Sequence, residues 1–441
     1  MDEHNSTPLP KVGERDYQRL VNAWAMYDWA NSAFAVIILT AVFPVYYRSL
    51  VINAGHSPAE ATAYWAYTTS VSMLIVALAG PVLGAMADLV GGTKRFLGVA
   101  LGLGVLGSAG LAFLGKDTFL LGSLIFAVGN LGFAGGNIFY EAWLPHLARP
   151  GDIDRVSARG YALGYLGGGL LLIITTLWLL WPSWLWVADR DSALRGSFVS
   201  VAVWWLVFAL PLFRTVPAPG TQGTTGISMR LAISSFQRPA LTLSQIRRYR
   251  QLAIFLAAFW LYNDGINTII KIATAYGDEI GIDHNHMLLA LILTQLIGFP
   301  STLGFGALAG YLGAKGAILA GLAAYGLISI AGFFMKSPLH FYVLAAVVGL
   351  VQGGTQALSR SLFATMVPKA RSGEFFGFFS TGEKFAGIIG PAIFGFVGQL
   401  MGSSRWGIIS VTLLFVAGAA LLWRVDEQEG RRIAGEVDVC G

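Results

Sequence analysis

The sequence predicts an all-α membrane protein whose twelve transmembrane helices form two pseudo-symmetric six-helix bundles. Three observations point there. Hydrophobic residues make up 55% of the 441-residue chain and charged residues 12%, about half the charge of a soluble domain. Twelve apolar runs in the sequence are long enough to span a bilayer, at about 20 residues each. Two stretches at matching places also read almost alike: Tyr27-Asp28-Trp29-Ala30-Asn31-Ser32 and Tyr262-Asn263-Asp264-Gly265-Ile266-Asn267-Thr268. An acid inside a membrane helix costs roughly 2.5 kcal/mol or more and is a functional candidate by default. Two of them, 236 residues apart, predict a duplicated bundle with a polar site between its halves.

The elements follow in order. Residues 1–19 are polar and mixed in charge, without the apolar core of a signal peptide, and read as a tail. Apolar runs near 20–47, 61–87, 96–114, 118–143, 159–181 and 196–213 form the first bundle, 20–213. Residues 214–250 are a polar linker; its stretch from Val216 to Gly226 is rich in Pro, Gly and Thr, and it ends in Arg247-Arg248-Tyr249-Arg250. Runs near 251–276, 287–311, 316–335, 340–366, 376–401 and 405–423 form the second bundle, 251–423, and 424–441 is a polar tail. Of the 29 Lys and Arg, twenty fall on the side that carries both termini, six on the other and three inside helices. That bias places both termini in the cytoplasm. With no organelle signal legible, a bacterial plasma membrane is the expected location.

Several function classes are excluded or unsupported. The net charge of +5 follows membrane topology, so nucleic acid is not an expected partner. The one cysteine, Cys440, leaves no internal disulfide and no cysteine-based zinc site. No P-loop motif is present and the linker is too short for a nucleotide-binding domain. No nucleophile–base or metal-ligand constellation marks an enzyme, and no cofactor or metal is expected. The polar outer loop Asp278-Glu279 to Asp283-His284-Asn285-His286 reads as solvated, and the six His read as loop or tail residues.

The duplication extends to loops. Gly84-Ala-Met-Ala-Asp88-Leu-Val-Gly91-Gly-Thr-Lys94-Arg95 closes the second helix, and Gly306-Ala-Leu-Ala-Gly310-Tyr-Leu-Gly313-Ala-Lys315 closes the eighth at an offset of 222. The first of these resembles the cytoplasmic loop signature of the major facilitator superfamily. Together with Tyr27 to Phe34, Tyr262 to Gly265 and Gln352-Gly-Gly-Thr-Gln356-Ala-Leu-Ser-Arg360-Ser361, the chain is similar over about 20–423 to one branch of that superfamily. That branch includes the autophagy-related vacuolar amino-acid effluxers and their bacterial relatives. The resemblance implies the major facilitator fold, one substrate path between the halves, alternating access, and small neutral solutes such as amino acids. It also implies a gating role for Asp88, with Lys94 and Arg95 beside it.

Seven ionisable residues fall within the predicted helices: Asp28, Glu141, Asp264, Glu383, Lys271, Arg360 and Lys384. Their sum leaves one negative charge in excess, and a buried acid of that kind tends to take up a proton. Asp28 and Asn31 share a helix face, as do Asp264, Asn267 and Lys271. Asp264 lies about 20 Å into its helix at 1.5 Å per residue, near the midplane. Either acid can be a substrate or proton contact, or a structural pin between helices. Asn31 and Asn267 carry donors and acceptors suited to a zwitterion or to interhelical bonding. Tyr27 and Tyr262 are a lid, a wall or belt residues. Asn130, Asn137 and Glu141 form one stripe, and Gln352, Gln356 and Arg360 another. Asn137, Gln356 and Arg360 are assigned to the path, where an Arg can hold a carboxylate. Glu141, Glu383 and Lys384 are assigned to a gate or a structural pair. Lys271 shares a stripe with Asp264 whereas Ala35 holds the equivalent place after Asp28, so Asp28 is the expected freer, proton-accepting acid.

The expected function is secondary active transport of a small polar organic solute, coupled to protons and directed outward, by a monomer in the lipid bilayer. The alternative is a sensor or scaffold that kept the fold and lost transport.

Overall fold

The computed structural model describes residues 13–115, 117–182, 189–218, 242, 248–385 and 389–440, and among them there is no strand. The first pass is longer than the apolar run alone implies. Helix α1 (Glu14–Ala33) passes into a π-helical stretch, Phe34–Ala41, and then into α2 (Phe43–Asn53). The Val42 N–H donates to Ile37 O at 2.9 Å, the wide i to i+5 turn of a π-helix. Pro44 then has no N–H to continue the ladder, and the two parts meet at 42°. Helix α3 (Pro58–Val90) starts on a capping box between Ser57 and Glu60. Helices α4 (Thr93–Gly110), α5 (Phe119–Ala142), the single turn α6 (Leu144–Leu147), α7 (Ile153–Leu180) and α8 (Arg190–Thr215) complete the first half.

The second half holds α9 (Arg250–Glu279), α10 (His284–Phe333), α11 (Pro338–Met366), α12 (Ser372–Phe385), α13 (Ile389–Leu400), α14 (Ser404–Ser410) and α15 (Thr412–Trp423). The eighth and ninth helices expected from sequence form the one 50-residue run α10. At 1.5 Å per residue that is about 75 Å, more than twice a bilayer core. Gly313 interrupts it at φ 72°, ψ 159°, outside helical geometry. Gly91, its counterpart in the first loop, closes α3 at φ 65°. Both copies of the loop thus turn on a glycine at positive φ, which a side chain would strain. Among the described residues nine helices are long and apolar enough to cross a membrane, ten with the bent first pair. The break at Gly313 and the pairing of α12 with α13 are consistent with twelve passes. The tail expected at 424–441 carries a further helix, α16 (Glu427–Cys440), which lies against α11 with Ala434 buried. Most of the linker 214–250 lies outside the described residues.

Two sets of helices pack internally: α1 with α7 and α8, and α4 with α5 and α8, against α10 with α11, and α9 with α15. The sets meet along two seams, α3 against α12 and α7 against both α10 and α11. Large apolar side chains such as Val71, Leu74, Leu78, Leu106, Leu124, Leu206, Leu327 and Val343 stay exposed on the outside. In hydrocarbon that exposure costs nothing, whereas in water it would form patches far beyond those of a soluble monomer.

The seams are closed at the end of the bundle that carries both termini. There Gly84 abuts the Gly373 carbonyl, and a β-carbon at Gly84 would collide with that backbone. Asp88 accepts from the backbone N–H groups of Gly373 (3.0 Å) and Glu374 (2.8 Å), capping the first turn of α12. His146, expected in a loop, lies in the helical turn α6 and is part-buried in the seam, 3.2 Å from Ser372 Oγ. Gly84→Val is therefore expected to open this end. With Cys440→Ser as background, Ser157→Cys, buried here, should alkylate at least tenfold faster when Gly84→Val is added. Equal rates would show that α3 and α12 do not hold this end shut.

Candidate functional site

Asp28 faces the seam from α1, with its side chain 14% exposed. Its Oδ2 accepts a hydrogen bond from the Tyr140 hydroxyl at 2.8 Å and pairs with Arg360 Nη1 at 3.2 Å. Arg360 belongs to α11, so this ion pair joins the two halves across 332 residues of sequence. The Arg360 side chain is 1% exposed. Its Nε donates to Ser157 Oγ and its Nη2 to Ser157 O, both at 2.9 Å. Ser157 in turn donates to the Ala357 carbonyl at 2.6 Å. Glu141 Oε1 stands 3.9 Å from the guanidinium. The ring of Tyr161 lies 4.3 Å from it and that of Trp24 5.1 Å, where a cation is attracted to the π faces.

A buried charge is tolerated only when paired and fully hydrogen-bonded, and the planar fork of Arg meets that demand better than Lys. The site also needs space. A β-carbon on Gly160 would strike Asp28 Oδ2 and come within 2.9 Å of Arg360 Nη2. Glycine at this point of α7 lets the pair close.

Asp28 borders a polar cavity of about 320 Å³ between the halves, and Arg360, expected on the path, lies behind it, off the cavity wall. The cavity brings together Asp28, Asn31, Asn137 and Glu141 from the first half with Asn267, Gln356 and Glu383 from the second. Asn31 Nδ2 donates to Asn137 Oδ1 at 2.6 Å, and Asn267 Nδ2 to Asn263 O at 2.9 Å. Ser157, Gly160, Tyr140, Tyr161, Gln295 and Asn263 were not singled out from sequence. Tyr140 was the most accessible of these, as the neighbour of Glu141 on an already polar stripe.

Other expected residues fall elsewhere. Asp264 is 2% exposed and off the cavity wall. Its Oδ2 accepts from the Gly390 N–H at 2.7 Å, capping the first turn of α13 within its own half. Asp28 is thus not the freer acid expected from sequence: it holds the ion pair to Arg360. Lys271 is exposed, two turns beyond Asp264. Tyr262 is buried with its hydroxyl 2.6 Å from Ser359 Oγ, and Tyr27 is buried with its ring stacked on Tyr140 at 4.9 Å. Both are core residues here and neither is a lid. Lys94 donates to the Val216 carbonyl at 2.8 Å and Arg95 is exposed, both beside Asp88 at the closed end. The side chains of Lys384, and of Asp278, His284 and Asn285 in the outer loop, lie outside the described residues.

Residues 16–435 match the family described as vacuole effluxer Atg22 like. The uncharacterized MFS-type transporter YxiO of Bacillus subtilis (strain 168) is 38% identical over 408 residues, covering 92% of this chain and 95% of that one. Autophagy-related protein 22-1 of Penicillium rubens is 25% identical over 302 residues, covering 64% of this chain and 50% of that protein. This chain thus aligns with half the length of the fungal relative. The crystal structure of the human organic anion transporter MFSD10 superposes with a TM-score of 0.70 at 14% identity, covering 92% of this chain and 99% of that one. The E. coli fucose:proton symporter FucP gives 0.66 at 14% identity, covering 94% and 99%. These likenesses show the major facilitator fold.

Removing one partner of a buried pair leaves the other charge uncompensated and costs about 3–5 kcal/mol. Asp28→Ala is expected to lose stability on that scale in detergent unfolding, and adding Arg360→Met should recover at least half. Wild-type stability in Asp28→Ala would mean that the pair does not bind the halves together.

Proposed function

The chain belongs to the family of Atg22-like vacuole effluxers, and from that premise we propose that it is a secondary active transporter. It moves a small polar organic solute, amino acids among them, by alternating access, with outward transport driven by protons. The bundles 20–213 and 251–423, joined by the linker 214–250, are the two rocking bodies of a monomer. The Lys and Arg bias supports a cytoplasmic position for both termini, and the Bacillus relative supports a bacterial plasma membrane.

One observation carries this reading: Asp28 is at once one end of the ion pair that bridges the halves and part of the wall of the polar cavity. Whatever changes the charge of Asp28, or competes for either partner, weakens the closure at the terminal end. Three carboxylates border the cavity, those of Asp28, Glu141 and Glu383. A proton and a solute ammonium would compete for the same carboxylates, and that competition is how exchange of one for the other is coupled. The side-chain amides of Asn31, Asn137, Asn267 and Gln356 supply donors for a carboxylate and acceptors for an ammonium. Asp88 and its cap on α12 would release when the terminal end opens.

The test is solute flux in proteoliposomes under an imposed pH gradient. Wild-type protein should accelerate neutral amino-acid flux against the proton flow, Asp28→Asn should lose that dependence, and Arg360→Lys should slow flux at least tenfold. Asp264→Asn should lower stability but keep the pH dependence. Wild-type coupling in Asp28→Asn would remove the pair from the mechanism.

A further inference from the structure

The polar cavity continues into a second chamber of about 380 Å³ that shares the walls at Ala35, Val36, Tyr165, Asn267, Gln295, Gln352 and Gln356. Beyond those residues its character changes. Ile272 and Tyr276 of α9, Leu291, Ile328 and Met335 on or just beyond α10, and Phe341 of α11 enclose it. Tyr276, Ile328, Met335 and Phe341 are all buried, so these walls are packed and are not an open rim. The Tyr276 hydroxyl donates to the Gly332 carbonyl at 3.1 Å and ties α9 to α10 at this end. One cavity therefore has a charged, amide-lined head region and an apolar tail region, and the second is built mostly from the second half of the protein, with Ala35, Val36, Thr40 and Tyr165 from the first.

We propose that the apolar chamber is the second part of the solute site. It takes the hydrocarbon tail of an amphipathic zwitterion whose ammonium and carboxylate occupy the polar chamber. The inference rests on the polar cavity being the solute site and adds the class of solute. Size sets the tail length. An apolar cavity of about 150 Å³ holds benzene, so this chamber has room for a tail of roughly ten carbons. A four-carbon aliphatic side chain would leave more than half of it to water against apolar walls.

The experiment measures Kd for straight-chain 2-aminoalkanoic acids of four to ten carbons, each below its micellar concentration, on the full chain in nanodiscs. Each added methylene buried in the chamber should tighten binding roughly threefold to fourfold. Ala273→Phe and Ala345→Phe, which fill the chamber, should each cancel most of the gain between four and ten carbons. Binding of the short members with no gain from length would overturn the tail chamber and leave the polar site standing. A gain that persists in both variants would be partition into lipid and would also overturn it. Binding of no member at all would overturn both this inference and the transport reading beneath it.

Discussion

Arg360 carries a full positive charge with its side chain 1% exposed, in a bundle whose outer surface faces hydrocarbon. Neither water nor lipid headgroups can reach it, so its charge and its donors must be answered by the protein. Nearly everything at the centre of the molecule follows from that demand. Asp28 supplies the opposite charge, both oxygens of Ser157 accept from the guanidinium, and the rings of Trp24 and Tyr161 offer their faces. Trp24 is itself held by a hydrogen bond from its indole to the Tyr140 carbonyl at 3.1 Å. All of these partners belong to the first half of the chain, whereas Arg360 belongs to the second. Satisfying one charge thus closes the seam between the halves.

The closure is asymmetric along the membrane normal. Asp154 with Ser361, Ser157 with Ala357, and Asp88 with the start of α12 all lie towards the terminal end. The two chambers lie on the other side of the ion pair. The polar chamber reaches Asp28 directly, so in the transport cycle proposed above occupancy and closure would be linked through one contact without a long relay.

The duplication shows how two copies of one pattern diverge. Gly91 and Gly313 both hold a positive φ, 65° and 72°, which a side chain would strain, but with ψ of 25° and 159° they turn the chain differently. Asp28 and Asp264 keep the same residue in different environments. Asp264 caps α13 inside its own half, and its neighbour Asn263 reaches the cavity instead. Thr268 strengthens the local role of the second copy by bonding the Asp264 carbonyl at 2.7 Å. Identity at the sequence level therefore carried over to the fold and not to the chemistry.

The all-helical membrane fold, the order of the apolar runs, the loop copies and the shared face of Asp28 and Asn31 were legible because each is local. Hydropathy over about 20 residues, a glycine at a turn and an i, i+3 spacing need no knowledge of distant chain. The same local logic misled where it left Asp28 the freer acid, since a stripe on one helix does not say what faces it. Which acid meets Arg360, which tyrosines sink into the core and where a glycine must leave room are set by how α1, α7 and α11 cross. Only the tertiary structure decides those, because a charge in a low-dielectric interior is paired by distance in space, and sequence spacing measures distance along the chain.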